Sequence, residues 1–223
     1  LQNTLFRIAI LARKPADQSV SRDDIIVAAA DVLQRNGYES TTMKDIAAVV
    51  NLTAASLYHH FRNKDELLLA VLEAGLEHVL RQIEPIALSD LPSALKLRRM
   101  IQTHIVGLTE HTAVGAAMVF EIRSLINTRS PSAGEAQTAA HAKFTARRDS
   151  FFARRDQFEN WFRHVIREGI ANGSFREVDV GIFTKTILGA HNWVGVWYRP
   201  TGRLNGEQIA DMMAETFLRA LKP

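Results

Sequence analysis

The sequence predicts an all-α chain of about nine helices: an N-terminal three-helix helix-turn-helix domain followed by a C-terminal helical ligand-binding and dimerisation domain. Three observations predict it. Apolar residues recur at helical spacing from Ser21 almost to the end, no alternating strand pattern of useful length competes, and capping residues stand at the start of successive helical stretches. With 223 residues and 47% hydrophobic content, the chain can bury a sizeable core.

The elements follow in order. Residues 1–20 carry Arg13-Lys14-Pro15 and read as a flexible arm. Ser21 opens the first helix as its N-cap, Asp24 stands three residues on, and Asp23 suits the positive helix start. Ile26, Ala29, Ala30 and Leu33 form the inward stripe, and Asn36-Gly37 supplies a left-handed stop. Thr42 caps the second helix with Asp45 at its third position; Met43, Ile46, Ala47 and Val50 face inward. Asn51 takes the turn position, where positive φ is needed and asparagine tolerates it. Thr53 caps the third helix, which buries Leu57 and Phe61 and turns the rest outward. Asn63 begins the fourth helix, with Glu66 expected to complete a reciprocal cap, and this helix continues to Ile83.

Beyond it, a fifth helix runs from Pro92-Ser93 to about His111, and a sixth from Val114 to Ile126. Ser, Pro and Gly mark a loop over 128–134. A long seventh helix spans about Glu135 to Ala171, and an eighth spans Val180 to Tyr198. Arg199-Pro200-Thr201-Gly202 breaks the pattern. Asn205 caps the last helix with Gln208 three residues on. The expected domains are an arm over 1–20, a DNA-binding head over 21–67, and a body over 68–223.

Composition removes several function classes. The chain has no cysteine, so disulfides, zinc-thiolate sites and thiol nucleophiles are excluded, in keeping with a cytoplasmic location. No apolar run reaches the roughly 18 residues of a membrane helix, and the Leu5–Ala12 run is interrupted by Arg7, so neither a membrane partner nor a signal peptide is expected. There is no HExxH, no glycine-rich phosphate loop and no GxSxG elbow, and the eight histidines offer no metal-ligand spacing. No enzyme, cofactor or metal is expected.

The net charge of +3 says little about a nucleic-acid partner, because residues 1–67 carry eight Lys/Arg and eight Asp/Glu. DNA affinity in this region must come from placement. The third helix is short and presents small or hydrogen-bonding side chains outward, which the major groove admits. Lys64 stands in a first helical turn, where the dipole disfavours a cation unless an anion docks there.

These residues resemble the TetR family of one-component transcriptional regulators. The resemblance rests on Thr42-Met43-Lys44-Asp45-Ile46-Ala47, on Leu57-Tyr58-His59-His60-Phe61, and on Asn63-Lys64-Asp65-Glu66-Leu67. It implies a homodimer that binds a double-stranded DNA operator and is released by a small-molecule effector. It implies DNA contacts at Thr42, Lys44, Thr53, Ala54, Ala55, Ser56, Tyr58, His59, His60 and Lys64. Ala54 and Ala55 depart from a hydrogen-bonding readout, since an alanine offers a base only apolar contact with a thymine methyl.

The second half suggests the effector and the dimer. The eighth helix is apolar on most sides and needs cover all round. Paired with the last helix, it suggests a dimer interface of Phe183, Ile187, Val194, Trp197, Ile209, Met212, Met213 and Phe217. The cluster from His191-Asn192-Trp193 to Trp197-Tyr198-Arg199-Pro200 is similar to a narrower branch of TetR regulators, those of fatty-acid and sterol catabolism, which implies a long-chain or sterol-derived acyl-CoA effector. Arg147-Arg148 and Arg154-Arg155 are seven apart, so each pair falls near one helical face, and guanidinium groups bind phosphate in forks. A solvated, salt-bridged face explains the same arginines. The expected ligand contacts are Phe120, Arg123, Arg147, Arg148, Phe151, Phe152 and Arg155, with Phe158, Trp161, Phe162, Asn192, Trp193 and Trp197. Two alternatives stay open on these residues: a multidrug-sensing regulator of an efflux gene, and a helical acyl- or lipid-binding dimer that does not bind DNA.

Overall fold

The computed structural model describes residues 20–126 and 139–223. Among these residues are ten helices and no strand: α1 (Arg22–Asn36), α2 (Met43–Val49), α3 (Ala54–His60), α4 (Lys64–Ala87), α5 (Ser93–Glu110), α6 (Thr112–Phe120), α7 (Ile122–Ile126), α8 (Ala139–Ala171), α9 (Val180–Trp197) and α10 (Gly206–Ala220). The tenth arises because the stretch expected as one helix to Ile126 is interrupted at Glu121. The loop expected over 128–134, the first residues of the helix expected from Glu135, and the arm over 1–19 lie outside the described residues.

Local chemistry sets the helix starts. Ser21 and Asp24 form a reciprocal capping box on α1, as do Thr42 and Asp45 on α2 and Asn205 and Gln208 on α10. Thr53 caps α3 by accepting the Ser56 N–H at 3.1 Å. The start of α4 differs from expectation: Asn63 accepts the Glu66 N–H, but Glu66 accepts the Arg62 N–H, one residue before the cap. Asn51 has φ 55°, the left-handed turn between α2 and α3. Gly37 closes α1 at φ 75°, a conformation that side chains with a Cβ rarely adopt.

Ile25, Leu33, Ile46, Leu57 and Phe61 are fully buried at the centre of the head. The helix α4 is the spine of the molecule, packing on α1 at one end and on α5, α6 and α8 along its length. Its Gly75 lies so close to α6 that a Cβ there would clash with the Val114 side chain. Helices α5 and α10 share the most extensive interface, tied by Arg98 to Glu215 and by Gln102 to Asp211. The buried Lys96 of α5 donates to Glu168 of α8 at 2.9 Å, and this hydrogen bond holds the Glu168 carboxyl below its usual range. Phe151, Phe162, Val165 and Ile166 carry the inward face of α8.

Candidate nucleic-acid interface and ligand cavity

The first candidate site is the outward side of α2 and α3. Thr42 and Thr53 occupy the two N-caps, and Lys44, Ala55, Tyr58, His59 and His60 are exposed around them. Tyr58 is 50% exposed, a large aromatic presented outward. Ala54 and Ser56 are partly covered, and the Ser56 and Thr53 hydroxyls share a hydrogen bond at 2.9 Å. Lys64 points back into the head. Its Nζ donates to the Tyr38 carbonyl at 2.6 Å and sits 4.1 Å above the Tyr38 ring. An ammonium has three donors, so this inward anchoring leaves capacity for a phosphate without presenting the whole charge.

The second candidate site is a cavity of about 290 Å³ among α4, α5, α6, α8 and α9. Its deep wall is made by the buried Leu76, His104, Leu108, Gly115 and Phe158, and its exposed rim includes Gln82, Arg155 and Lys185. Of the ligand residues expected from the sequence, Arg155, Phe158 and Asn192 line it. The remainder do not. Phe151 and Phe162 are in the core, Phe152 and Trp161 pack against that core, and Phe120 is 52% exposed with Arg123 exposed nearby.

The arginines divide between two tasks. Arg147 pairs with Glu73 and Arg154 with Glu77, so both knit α8 to α4. Arg148 pairs with its neighbour Asp149 at 3.2 Å. Arg155 has no carboxylate partner among the described residues and stands at the cavity rim. Opposite it, Lys185 reaches Glu159 at 3.3 Å.

Sequence reasoning passed over the walls contributed by α4, α5 and α6. Gly75, Gly107, Gly115 and Gly189 all line the cavity, and each lies inside a helix, where glycine costs about 1 kcal/mol relative to alanine. That cost was the available signal. A Cβ at Gly107 or Gly189 would meet nothing within 4 Å, so these two leave the cavity wall thin. Histidines were the other signal: His78, His104 and His111 line the cavity. The His78 and His111 rings meet edge to face at 5.3 Å, and burial pushes both below the ordinary histidine value. His104 is pushed down to about 4 by burial. Among the described residues, no group of three or more acidic or histidine side chains is placed to hold a metal.

The structure divides the expected interface residues between the inner and outer faces of α9 and α10. Ile187 and Val194 are fully buried within the chain, and Ile209 nearly so, because they face α5 and α6 rather than solvent. Phe183, Met213 and Phe217 are half-buried against the core. The outward apolar side chains are Ile182, Trp193, Trp197 and Met212, between 47% and 65% exposed. Trp193 therefore belongs to this outer face and not to the cavity.

A helix-turn-helix head on a helical body that encloses a cavity defines a class: the DNA-binding regulators with a sensory body. The comparisons narrow it. Residues 25–71 match the family described as "Bacterial regulatory proteins, tetR family", and residues 141–221 match the "Tetracyclin repressor-like, C-terminal domain". The chain belongs to the TetR family of transcriptional regulators. It is 27% identical over 215 residues to the HTH-type transcriptional repressor KstR2 of Rhodococcus jostii, covering 93% of this chain and 96% of that one. Among solved structures, the TetR regulator PfmR of Thermus thermophilus is 29% identical with a TM-score of 0.74, covering 92% of this chain and 100% of PfmR. AibR, solved with isovaleryl coenzyme A and operator DNA, is 26% identical with a TM-score of 0.71, covering 87% of this chain and 96% of AibR. No helix among the described residues is long and apolar enough to cross a membrane.

Proposed function

We propose that this protein is a ligand-responsive repressor, a homodimer whose heads bind a palindromic operator and release it when a coenzyme A thioester fills the body. The observation that carries the reading is the physical continuity from cavity to head. Val114, Gly115 and Met118 of α6 wall the cavity, and α6 ends at Glu121, whose carboxylate lies against the Gly37–Tyr38 backbone beside the helix-turn-helix. A ligand that displaces α6 acts on Tyr38 and, through it, on Lys64.

Three further features support the assignment. The exposed side chains Lys44, Ala55, Tyr58, His59 and His60, with the caps Thr42 and Thr53, form a convex edge suited to a groove. The outward stripe Ile182, Trp193, Trp197 and Met212 is what a second copy would cover. Arg155 and Lys185 at the cavity rim suit the phosphates of a nucleotide whose acyl group lies inside. AibR was solved with a thioester of this kind and operator DNA together. A volume of about 290 Å³, room for roughly ten water-sized groups, suits a compact acyl group; a long chain or sterol nucleus needs space beyond it.

Fluorescence anisotropy with a duplex from upstream of the protein's own gene tests the proposal. Sub-micromolar binding that falls steeply with salt is expected, with release by isovaleryl-CoA or a longer acyl-CoA and none by coenzyme A alone. Binding to no promoter duplex, or release by none of the thioesters, overturns the corresponding half of the reading.

A further inference from the structure

At the bottom of the cavity two histidines are joined nitrogen to nitrogen. His104 of α5 and His191 of α9 place their Nδ1 atoms 3.1 Å apart, far from each other in sequence and both buried. His104 lines the cavity, and its Nε2 has no partner among the described residues. His191 lies behind it, fully buried, with Nε2 unpartnered. The rings pack on Phe158, Phe162 and Phe217, which offer neither nitrogen a polar partner.

A hydrogen bond between two imidazoles needs one protonated and one bare Nδ1, which fixes the far nitrogens in opposite states. If His104 supplied the proton, His191 Nε2 would be an N–H buried without an acceptor. If His191 supplies it, His191 Nε2 is a bare lone pair, the less costly orphan. The second arrangement leaves His104 Nε2 protonated, at the cavity surface, with nothing to donate to. Both rings are neutral there, since burial depresses the basicity of each.

We propose that the His104–His191 pair is a specificity element that donates one hydrogen bond, from His104 Nε2–H, to a carbonyl oxygen on the effector's acyl portion. The inference rests on the thioester reading above and adds to it one buried polar contact that the acyl portion must satisfy. A site built around an unpaired donor discriminates against a ligand lacking the acceptor more sharply than an apolar wall rejects an added one. The carbonyl has two sources, the thioester itself and a ketone further along the chain, and matched probes separate them.

Isothermal titration of the full-length protein with acetoacetyl-CoA and butyryl-CoA tests the proposal, because the two differ only by a ketone at the third carbon. A ketone acceptor is expected to give acetoacetyl-CoA an advantage of about tenfold, the size of one net hydrogen bond. The advantage falls to within about twofold in His104→Phe and survives in His104→Gln, whose amide keeps a donor near the same place. If the thioester carbonyl is the acceptor, the two probes bind alike to the wild type and both weaken about tenfold in His104→Phe but not in His104→Gln. Equal binding that neither variant changes overturns the proposal and leaves the thioester reading intact. If no thioester binds, that reading fails, and imidazole nitrogen NMR of the ligand-free protein decides the donor separately. His104 protonated at Nε2 and bare at Nδ1 upholds the assignment; the opposite tautomer overturns it. The same spectrum decides the matter should His104→Phe fail to fold.

Discussion

The carboxylate of Glu121, at the break between α6 and α7, lies against the backbone of Gly37 and Tyr38, in the loop that leads from α1 into the helix-turn-helix. Tyr38 is held from two more sides: its hydroxyl donates to Asp65 and its carbonyl accepts from Lys64. One residue thus joins the cavity's α6, the loop before α2 and the start of α4. Burial raises the Glu121 carboxyl above its ordinary value, and the neighbouring Tyr38 amide offsets only part of that rise.

Cutting this link should uncouple the two sites. Glu121→Ala is expected to leave the fold and the ligand affinity close to wild type while shrinking the ligand's effect on operator binding. Coupling between sites commonly amounts to about 5–150-fold in affinity. Anisotropy titrations with and without isovaleryl-CoA should give a ratio nearer to one in the variant. An unchanged ratio would show that the signal travels by another route, such as the Gly75–Val114 contact between α4 and α6.

The outer faces of α9 and α10 yield a second expectation. A charge placed at Trp193 or Met212 costs little in a single chain, where both are exposed, but is expensive in an apolar interface. Trp193→Glu should shift sedimentation from dimer to monomer and weaken dimerisation by about 30-fold or more, as expected for a central aromatic anchor. Ile187→Glu should instead unfold the chain, because Ile187 has no exposure at all. A Trp193→Glu protein that stays dimeric would move the interface elsewhere.

The parts of this molecule legible in its sequence are those decided within a few residues. Ser21, Thr42, Thr53 and Asn205 announce helix starts because an N-cap bonds to an amide three residues on, and Asn51 announces its turn through the backbone conformation it tolerates. The cavity is decided by how five helices meet, which no local rule contains. Arg154 and Arg155 differ by one position, a rotation of about 100°; that rotation sends one to Glu77 on α4 and the other to the cavity rim. On α9, which is apolar nearly all round, periodicity gives no preferred face, so Trp193 and Val194 could not be assigned to outside and inside before the packing was known.

The histidine pair predicts an acid limb in stability. Burial holds His104 down to about 4, against an ordinary value of 6.5 in the unfolded chain, and burial followed by the neighbouring His104 holds His191 lower than ordinary as well. Between pH 6.5 and 4 the unfolded chain binds more protons than the folded one, so stability is fully present above this window and is lost as pH falls through it. The His104 shift alone corresponds to on the order of 3 kcal/mol. Denaturant midpoints measured from pH 7.5 to 4.5 should fall for the wild type and fall less for His104→Gln, which has nothing to titrate.

The head offers the last test, in which salt separates two kinds of contact. Lys44 is exposed on α2 and Tyr58 on α3, so either can reach DNA, but only the lysine displaces counterions when it meets a phosphate. Lys44→Ala should weaken binding across all duplexes and lower the slope of log affinity against log salt by about one for each phosphate contact removed. Tyr58→Phe, which removes only a hydroxyl, should leave that slope unchanged and cost about tenfold or less, whether the hydroxyl meets a base edge or a backbone oxygen. Comparing the operator with a scrambled duplex then tells those two apart, because a base contact matters on the operator alone. Lys64→Ala is less clean, since the ammonium also anchors Tyr38, and a lowered melting temperature in that variant would mark its structural share. If Lys44→Ala leaves both affinity and slope untouched, α2 does not meet the backbone, and the head must approach DNA through α3 alone.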